Sequence, residues 1–290
     1  MKKEYLIGGI RLLVHNDNFP LRENEYFARF QASEDCASFG EPIEYTFTSC
    51  DLMAYADTPI LAYNGTYELR KTASGPLMIC HWGANRLAYG LWMNELLEGN
   101  VVHCLFSPSM DEPRPPTMTR FFSTMGLHSK FLQRGAIIFH GSYVEVDGSA
   151  VIFAGQSGAG KSTQAALWEN CGRGRIINGD RLLLRQVDGR WYAFGYPCCG
   201  SSNICLNVSL PVKAIVFLQK GLQSRVLPVT PAARIRGLLL GAQVFSWVDA
   251  ETSMVYQLAQ SICEQVPIVT LSATPDMQAV EALGRYLESI

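Results

Sequence analysis

The residues best equipped for chemistry are GQSGAGKST, positions 155–163. They match G-x-x-x-x-G-K-[ST], a loop suited to holding a polyphosphate. Gly155, Gly158 and Gly160 let the backbone curl, so that its N–H groups, those of Ser157 and Ala159 included, can surround anionic oxygens without Cβ clashes. A helix starting near Lys161 would aim its positive end at the same anion. Lys161 is then placed for β- and γ-phosphates, Ser162 for Mg²⁺ through its hydroxyl, and Thr163 for the α-phosphate.

Asp180 follows Lys161 by 19 residues, directly after the short strand candidate Arg175–Asn178. A carboxylate there would face the loop, as a metal ligand or as a base toward an acceptor hydroxyl. His140, at the end of the apolar run Ala136–His140, is placed to reach the γ-phosphate or the acceptor. Gly200, Ser201 and Ser202 lie in the polar loop Gly195–Asn203, which could cradle an anion or an acceptor hydroxyl. Arg181 and Arg185 could stabilise transferring charge, but they alternate on a strand, where arginines usually face solvent. Cys198, Cys199 and Cys205 read as buried or loop thiols, because adjacent cysteines suit a tetrahedral zinc site poorly. His15, His81, His103 and His128 form no constellation.

These residues need elements to carry them. The apolar run Ala150–Ala154 feeds the loop as a strand, and a helix leaves it as far as Asn170, ended by Gly172. Asp147-Gly148 and Asp188-Gly189 each separate two strand-like runs and predict hairpins, because both central residues of such a turn favour φ > 0. Hairpins on both sides of the loop imply a mixed sheet rather than uniform βαβ alternation. Val212–Leu218 predicts a buried strand. Thr230-Pro231 and Thr274-Pro275 predict helix starts, with Thr as cap and Pro at the first position. Met254, Val255, Leu258 and Ile262 lie at helical spacing within Glu251–Gln265 and predict a core stripe.

The first 130 residues are less legible. Glu4–His15 and Ile43–Thr48 read as strands, Arg86–Leu97 as either helix or strand, and Thr119–Leu132 as a short helix. The Pro- and Ser-rich stretch 107–120 reads as a linker or long loop. The expected division is a β-rich amino-terminal domain or region, 1–130, and a nucleotide-binding domain, 131–290.

The chain of 290 residues has 24 Lys+Arg against 26 Asp+Glu, a formal charge of −2. No basic cluster exists to neutralise a nucleic-acid backbone. The opening apolar stretch is interrupted by Glu4 and Arg11, and no run is long enough to span a bilayer. Nine cysteines, an odd number without CxxC spacing, suit a reducing cytoplasm. The expected partners are therefore a nucleotide and a hydroxyl acceptor, with neither nucleic acid nor membrane, and self-association left open.

His140-Gly141, GQSGAGKST, IINGDR (176–181) and the Gly-x-Pro…Gly-Ser-Ser loop together resemble the HPr kinase-like proteins of the phosphoenolpyruvate carboxykinase-type superfamily. The resemblance covers roughly 132–290. It implies a mixed α+β (α/β) fold with the phosphate loop between a strand and a helix. It also implies ATP- and Mg²⁺-dependent phosphorylation of a serine-type hydroxyl, on a protein or a small molecule. Two features depart from the pattern. Gly179-Asp180 stands where those kinases have two aspartates, and Ile235-Arg236-Gly237-Leu238, similar to a second signature of theirs, lies within a predicted helix. The alternatives are a nucleotide-binding sensor or scaffold without catalysis, and a partner-coupled ATPase. For the ATPase, Asp180 is followed by Arg181 rather than the usual Glu.

Overall fold

Two adjacent glycines break the amino-terminal apolar run. Gly8 and Gly9 both take positive φ, 61° and 74°, as a two-residue hairpin turn requires. The strand expected over Glu4–His15 is thus a pair, β1 (Lys2–Ile7) and β2 (Ile10–His15), joined antiparallel. The computed structural model describes residues 2–15, 19, 21–33, 40–82, 85–107 and 116–290, and for 82 and 85–88 the backbone alone. Cys36 and most of the Pro- and Ser-rich stretch, 108–115, lie outside the described residues.

The chain divides into two units, 1–131 and 132–290. In the first, α1 (Glu25–Ala28) precedes β3 (Ile43–Ser49), β4 (Ile60–Tyr63), β5 (Tyr67–Thr72), β6 (Gly75–Trp82) and β7 (Asn85–Trp92). Then come α2 (Met93–Leu97), β8 (Val101–Phe106), α3 (Met118–Thr124) and α4 (Leu127–Leu132). The strands form one mixed sheet, order β1-β2-β3-β8-β7-β6-β5-β4, in which β3 runs parallel to both β2 and β8. Arg86–Leu97 is therefore a strand that turns into a helix at Met93. The helix expected over Thr119–Leu132 is two, broken at Met125-Gly126, where Gly126 takes φ 70°.

Aromatic rings fill much of this core. Phe121 lies 5.2–5.6 Å, centroid to centroid, from Phe19, Phe47, Tyr89 and Phe122. A charge is also buried there. Lys130 is fully buried, and its Nζ donates to the carbonyls of Glu95 (2.8 Å), Glu98 (3.1 Å) and Gly99 (3.0 Å). It thereby closes the C-terminus of α2, where a cation also suits the helix dipole.

The second unit carries β9 (Ala136–Val146), β10 (Ser149–Ala154), α5 (Lys161–Asn170), β11 (Arg175–Asn178), β12 (Arg181–Val187) and β13 (Arg190–Gly195). It continues through β14 (Ser209–Lys220), β15 (Arg225–Pro228), α6 (Pro231–Gly241), α7 (Asp249–Gln265), β16 (Ile268–Ala273) and α8 (Met277–Glu288). Both predicted hairpin turns have the required backbone: Asp147 and Gly148 at φ 48° and 70°, Asp188 and Gly189 at 48° and 79°. The sheet is mixed, order β10-β9-β12-β13-β14-β16-β15, with β11 on β9. The runs Ala136–His140 and Tyr143–Val146 are a single strand. Its first half pairs with β12 and its second half with β10. Strand β14 divides likewise, beginning on β13 and continuing parallel to β10 and β16. The pairings of β10, β9, β12, β13 and β14 therefore close into a ring.

Alternation along β10 shows how the strand is covered on both faces. Ile152 packs with Phe139, Leu238 of α6 and Val255, Ala259 and Ile262 of α7. Val151 and Phe153 pack on the other side with Trp168 of α5 and Val280 and Leu283 of α8. Each such side chain contributes roughly 1.5–3 kcal/mol by leaving water. The predicted stripe of α7 is rotated slightly: Val255, Ala259 and Ile262 are buried, while Met254 and Leu258 flank the core. Thr230 caps α6, accepting from Ala233 N–H. At α8 the cap is Asp276, which accepts from Gln278 N–H and takes a hydrogen bond from the Thr274 hydroxyl. The carboxylate displaces Thr274 as cap because it reaches the first free N–H groups from one residue past the proline. Among the described residues no helix is long and apolar enough to cross a membrane.

Candidate active site

Residues 155–160 connect β10 to α5. Gly155, Gly158 and Gly160 all take positive φ (148°, 77° and 102°). Open space surrounds the positions where a Cβ would stand on Gly158 and Gly160. Lys161 is held inside this curl, nearly buried, and its Nζ donates to the carbonyls of Gly155 (2.9 Å) and Gln156 (3.2 Å). Burial lowers the Lys161 pKa, opposed by the Asp180 charge. Ser162 and Thr163 are exposed at the first turn of α5.

Asp180 is positioned by a buried asparagine. Asn178 Oδ1 accepts from the N–H groups of Asp180 (3.0 Å) and Arg181 (3.1 Å), and its Nδ2 donates to the Tyr196 carbonyl (2.7 Å). One side chain thus shapes the turn between β11 and β12 and ties it to the end of β13. The carboxylate has three neighbours: His140 Nδ1 lies 3.5 Å from Oδ1, while Arg181 Nε (3.6 Å) and Cys198 Sγ (3.7 Å) approach Oδ2. Arg181 and His140 are register partners on β12 and β9. This cross-strand pairing brings His140 beside the Asp180 turn, and the Arg181 side chain folds back onto Asp180 instead of extending wholly into solvent. Its Nη1 also donates to Gln243 Oε1 (3.3 Å).

His140 is held below the ordinary histidine value of 6.5, first by burial and then by the positive charge of Lys161; Asp180 opposes and Arg181 adds to the lowering. The contact with Asp180 is therefore made by a neutral imidazole near pH 7. Burial also pushes the Cys198 thiol up to about 11, so it remains protonated. It serves as a weak donor to Asp180 and not as a nucleophile.

The loop holding Gly200, Ser201 and Ser202 is a single 3₁₀ turn. It lies against the Asp180 turn, since a Cβ on Gly200 would fall 2.9 Å from the Asp180 Cβ. Ser202 is committed internally: its hydroxyl donates to the Cys199 carbonyl (2.6 Å) and accepts from Ile204 N–H (3.2 Å). Ser201 is exposed.

Ser202 also explains Gly179. A Cβ on residue 179 would fall 2.1 Å from Ser202 Oγ and 2.4 Å from its Cβ. No second carboxylate fits there while the 3₁₀ turn keeps its place. Gly179→Asp should therefore cost about 1–3 kcal/mol by overpacking, and Ser202→Gly in the same chain should recover most of it. Thermal unfolding of the single and double variants measures this; a stable, unshifted Gly179→Asp chain would show that the turn yields freely.

Two cavities flank the loop. One, about 380 Å³, is lined by Gly158, Gly160, Thr163, Gly221, Thr274 and Pro275. The other, about 440 Å³, is lined by His140, Gly155, Ser157, Phe217, Gly237 and Leu240, among others. Sequence reasoning gave no site role to Asn178, Phe217 or the glycines of α6, and read Cys198 as a buried or loop thiol. The glycines had a signal. Gly237 and Gly241 are spaced by one helical turn, and each costs a helix about 1 kcal/mol unless something needs the room.

A family model, SynChlorMet cassette protein ScmC, matches residues 102–274. The chain belongs to the ScmC family. The ScmC match thus takes in nearly all of the last strand of the first unit and most of the second, including the phosphate loop, His140, Asp180 and the Gly200–Ser202 turn. A comparison with curated proteins gives no match. Among solved structures, this ScmC-family chain is distantly similar to the Hpr(Ser) kinase/phosphatase from Coxiella burnetii. The two are 14% identical, the alignment covers 52% of this chain and 96% of that one, and the TM-score is 0.32.

Proposed function

We propose that the second unit is an ATP- and Mg²⁺-dependent phosphotransferase acting on a hydroxyl. The observation that carries this reading is Lys161, nearly buried within the curl at the start of α5 and within charge range of Asp180 and His140. The residues suit a triphosphate. The Gly155–Gly160 backbone offers N–H groups at a helix N-terminus, and the Lys161 ammonium donates to the carbonyls of Gly155 and Gln156 in its own loop, which an anion would replace. Ser162 would hold the metal ion, and Asp180 would either join it as a ligand or act as the base described below. When bound, MgATP supplies the transferable γ-phosphoryl group and a cation that offsets its charge.

The chain's part is to position and to move a proton. Lys161 neutralises charge on the phosphoryl oxygens. Asp180, aligned by Asn178, would take the proton from the acceptor hydroxyl as its oxygen forms the new bond to the γ-phosphorus, while the bond from that phosphorus to the β–γ bridging oxygen breaks and ADP leaves. Neutral His140 adds no positive charge that would lower the basicity of the carboxylate, and it can relay that proton. The 3₁₀ turn at Gly200–Ser202 borders the acceptor.

Incubation with labelled MgATP and mixtures of hydroxyl compounds, peptides and proteins tests the reading. Label on an acceptor supports it. Tight MgATP binding with no transfer favours a nucleotide sensor, for which the single carboxylate is the motivating feature. Phosphate release without an acceptor favours an ATPase.

The sign of the His140 shift gives a further expectation. In the free protein a depressed pKa keeps the imidazole neutral as pH falls through 6.5, so kcat/KM, which reports the free enzyme, should persist below the ordinary histidine range before it drops. The pH–rate profiles of wild type and His140→Asn check this. An acid limb above 6.5 in the wild type would contradict it.

A further inference from the structure

We infer that β4, the outermost strand of the first unit's sheet, is a dimer interface, and that its partner is the β4 of a second copy of this chain, paired antiparallel across a two-fold axis. The inference is independent of the phosphotransferase reading.

Strand β4 ends the sheet order and is hydrogen-bonded on one side to β5. Among the described residues no strand pairs with its other side. A strand edge in that condition pairs with another chain unless charge, proline or a cover prevents it. Other outermost strands of this protein carry such protection. β1, at the opposite end of the same sheet, has Lys2, Lys3 and Glu4, and β15, at the end of the second unit's sheet, has Arg225 and Pro228. From Thr58 to Thr66, by contrast, the chain holds no charged residue. The register of β4 on β5 shifts between Ile60 and Ala62, which adds twist but no charge.

The edge is apolar and held in shape. Ile60 and Leu61 are each 53% exposed, Tyr63 is 65% exposed, and Met53, in the turn before the strand, is 59% exposed. Large apolar side chains clustered in this way mark an interface, where single scattered ones do not. Beneath them Arg70 of β5 pairs with Glu68, and both are buried. Arg70 Nη1 donates to the carbonyls of Tyr55 (3.0 Å), Ala56 (2.6 Å) and Thr58 (2.8 Å), which fixes the turn leading into β4. Glu68 Oε1 also lies 2.9 Å from His81 Nε2, and the His81 and Tyr63 rings are T-shaped, with centroids 6.2 Å apart. Both ends of β4 are therefore tied to one buried ion pair.

The missing charge and the rigidity select the occupant. A segment recognised by its charge finds nothing to pair with between Thr58 and Thr66. A flexible apolar peptide must order itself on arrival, which weakens its binding. A second copy brings a strand already formed and already held. A two-fold axis sets the stretch Thr58–Thr66 against itself, so no register of that overlap places like charges opposite one another. The register centred between Leu61 and Ala62 sets Ile60 of each copy opposite Tyr63 of the other, a β-branched residue against an aromatic ring, twice over.

Sedimentation of the full chain over a range of concentrations tests this. A reversible dimer is expected. Leu61→Lys should weaken self-association at least about tenfold, because the axis brings the two new charges together. Leu61→Glu should do the same. Mixing the two variants should restore a dimer of one Lys chain with one Glu chain, read by a fluorescent label on one of them. Leu61 is exposed, so both variants should keep the wild-type circular dichroism. A wild-type chain that stays monomeric up to about 100 µM would overturn the inference. So would a dimer that both variants retain. A dimer that both variants break and their mixture fails to restore would overturn it too, because the strand opposite β4 would then not be β4 itself. MgATP titration of the same proteins keeps the two ideas apart. A monomer that binds MgATP refutes the interface alone, and a dimer that does not bind it refutes the nucleotide reading and leaves the interface standing.

Discussion

Lys161→Ala should reduce MgATP affinity by about 100-fold or more, without unfolding the chain. The ammonium is the one strong cation inside the curl, and charge-assisted hydrogen bonds contribute roughly 1.5–3 kcal/mol each. Losing two of them corresponds to about 3–6 kcal/mol, or some two to four decades of affinity. The cost to the free protein should be smaller. The bonds from Nζ to Gly155 and Gln156 end on the carbonyls of a half-exposed loop, where water can replace the lysine. Titration calorimetry reads the affinity and thermal unfolding reads the stability. Equal MgATP binding by wild type and variant would remove the main support for the nucleotide reading. Lys161→Arg should not rescue, because the planar guanidinium is too large for a side chain already enclosed by its own loop.

Asp180→Asn should lower the transfer rate by about 10²- to 10⁴-fold, the usual range for loss of a general base. The amide has the same shape, so the turn held by Asn178 should survive. Affinity separates the two roles left open for this carboxylate. If Asp180 acts only as base, MgATP binding is unchanged while kcat falls. If it also ligates the metal, binding weakens in Mg²⁺-containing buffer but not in its absence. A variant that transfers phosphoryl groups at the wild-type rate would exclude both roles. No carboxylate fits at Gly179 beside Ser202, so that position supplies no second acid.

The sequence was most readable where local chemistry governs structure. The Asp-Gly turns, the strand into the loop and the helix out of it follow from φ preferences and from apolar runs that need no distant partner. The same holds for Thr230-Pro231 at the start of α6. What could not be read depends on pairing across the chain. Ala136–His140 and Tyr143–Val146 look like separate runs because residues 140–142 break the apolar pattern; they are one strand because β12 and β10 share it. Arg181 looked solvent-facing, since nothing local shows that Gln243 lies within reach of its guanidinium. In the first unit, Thr119–Leu132 has enough helical character for one helix, and only Gly126 marks the break. The site divides in the same way. The loop and Asp180 are visible as a motif. Asn178, Cys198 and the α6 wall are tertiary neighbours with ordinary local sequence.

The strands shared between halves of the ring of pairings have a dynamic consequence. In many α/β proteins an edge of the sheet can open alone, and its amides exchange with solvent well before the rest. Here β9 and β14 each serve two sets of partners, so neither half can separate without disturbing the strand that carries His140. Slow-exchanging amides on β9, β10, β12 and β14 should therefore share a single opening free energy. The closure also joins β10 to β14 across more than fifty residues. Much of the ring must form before any of it is stable, and refolding should be slow for a unit of this size.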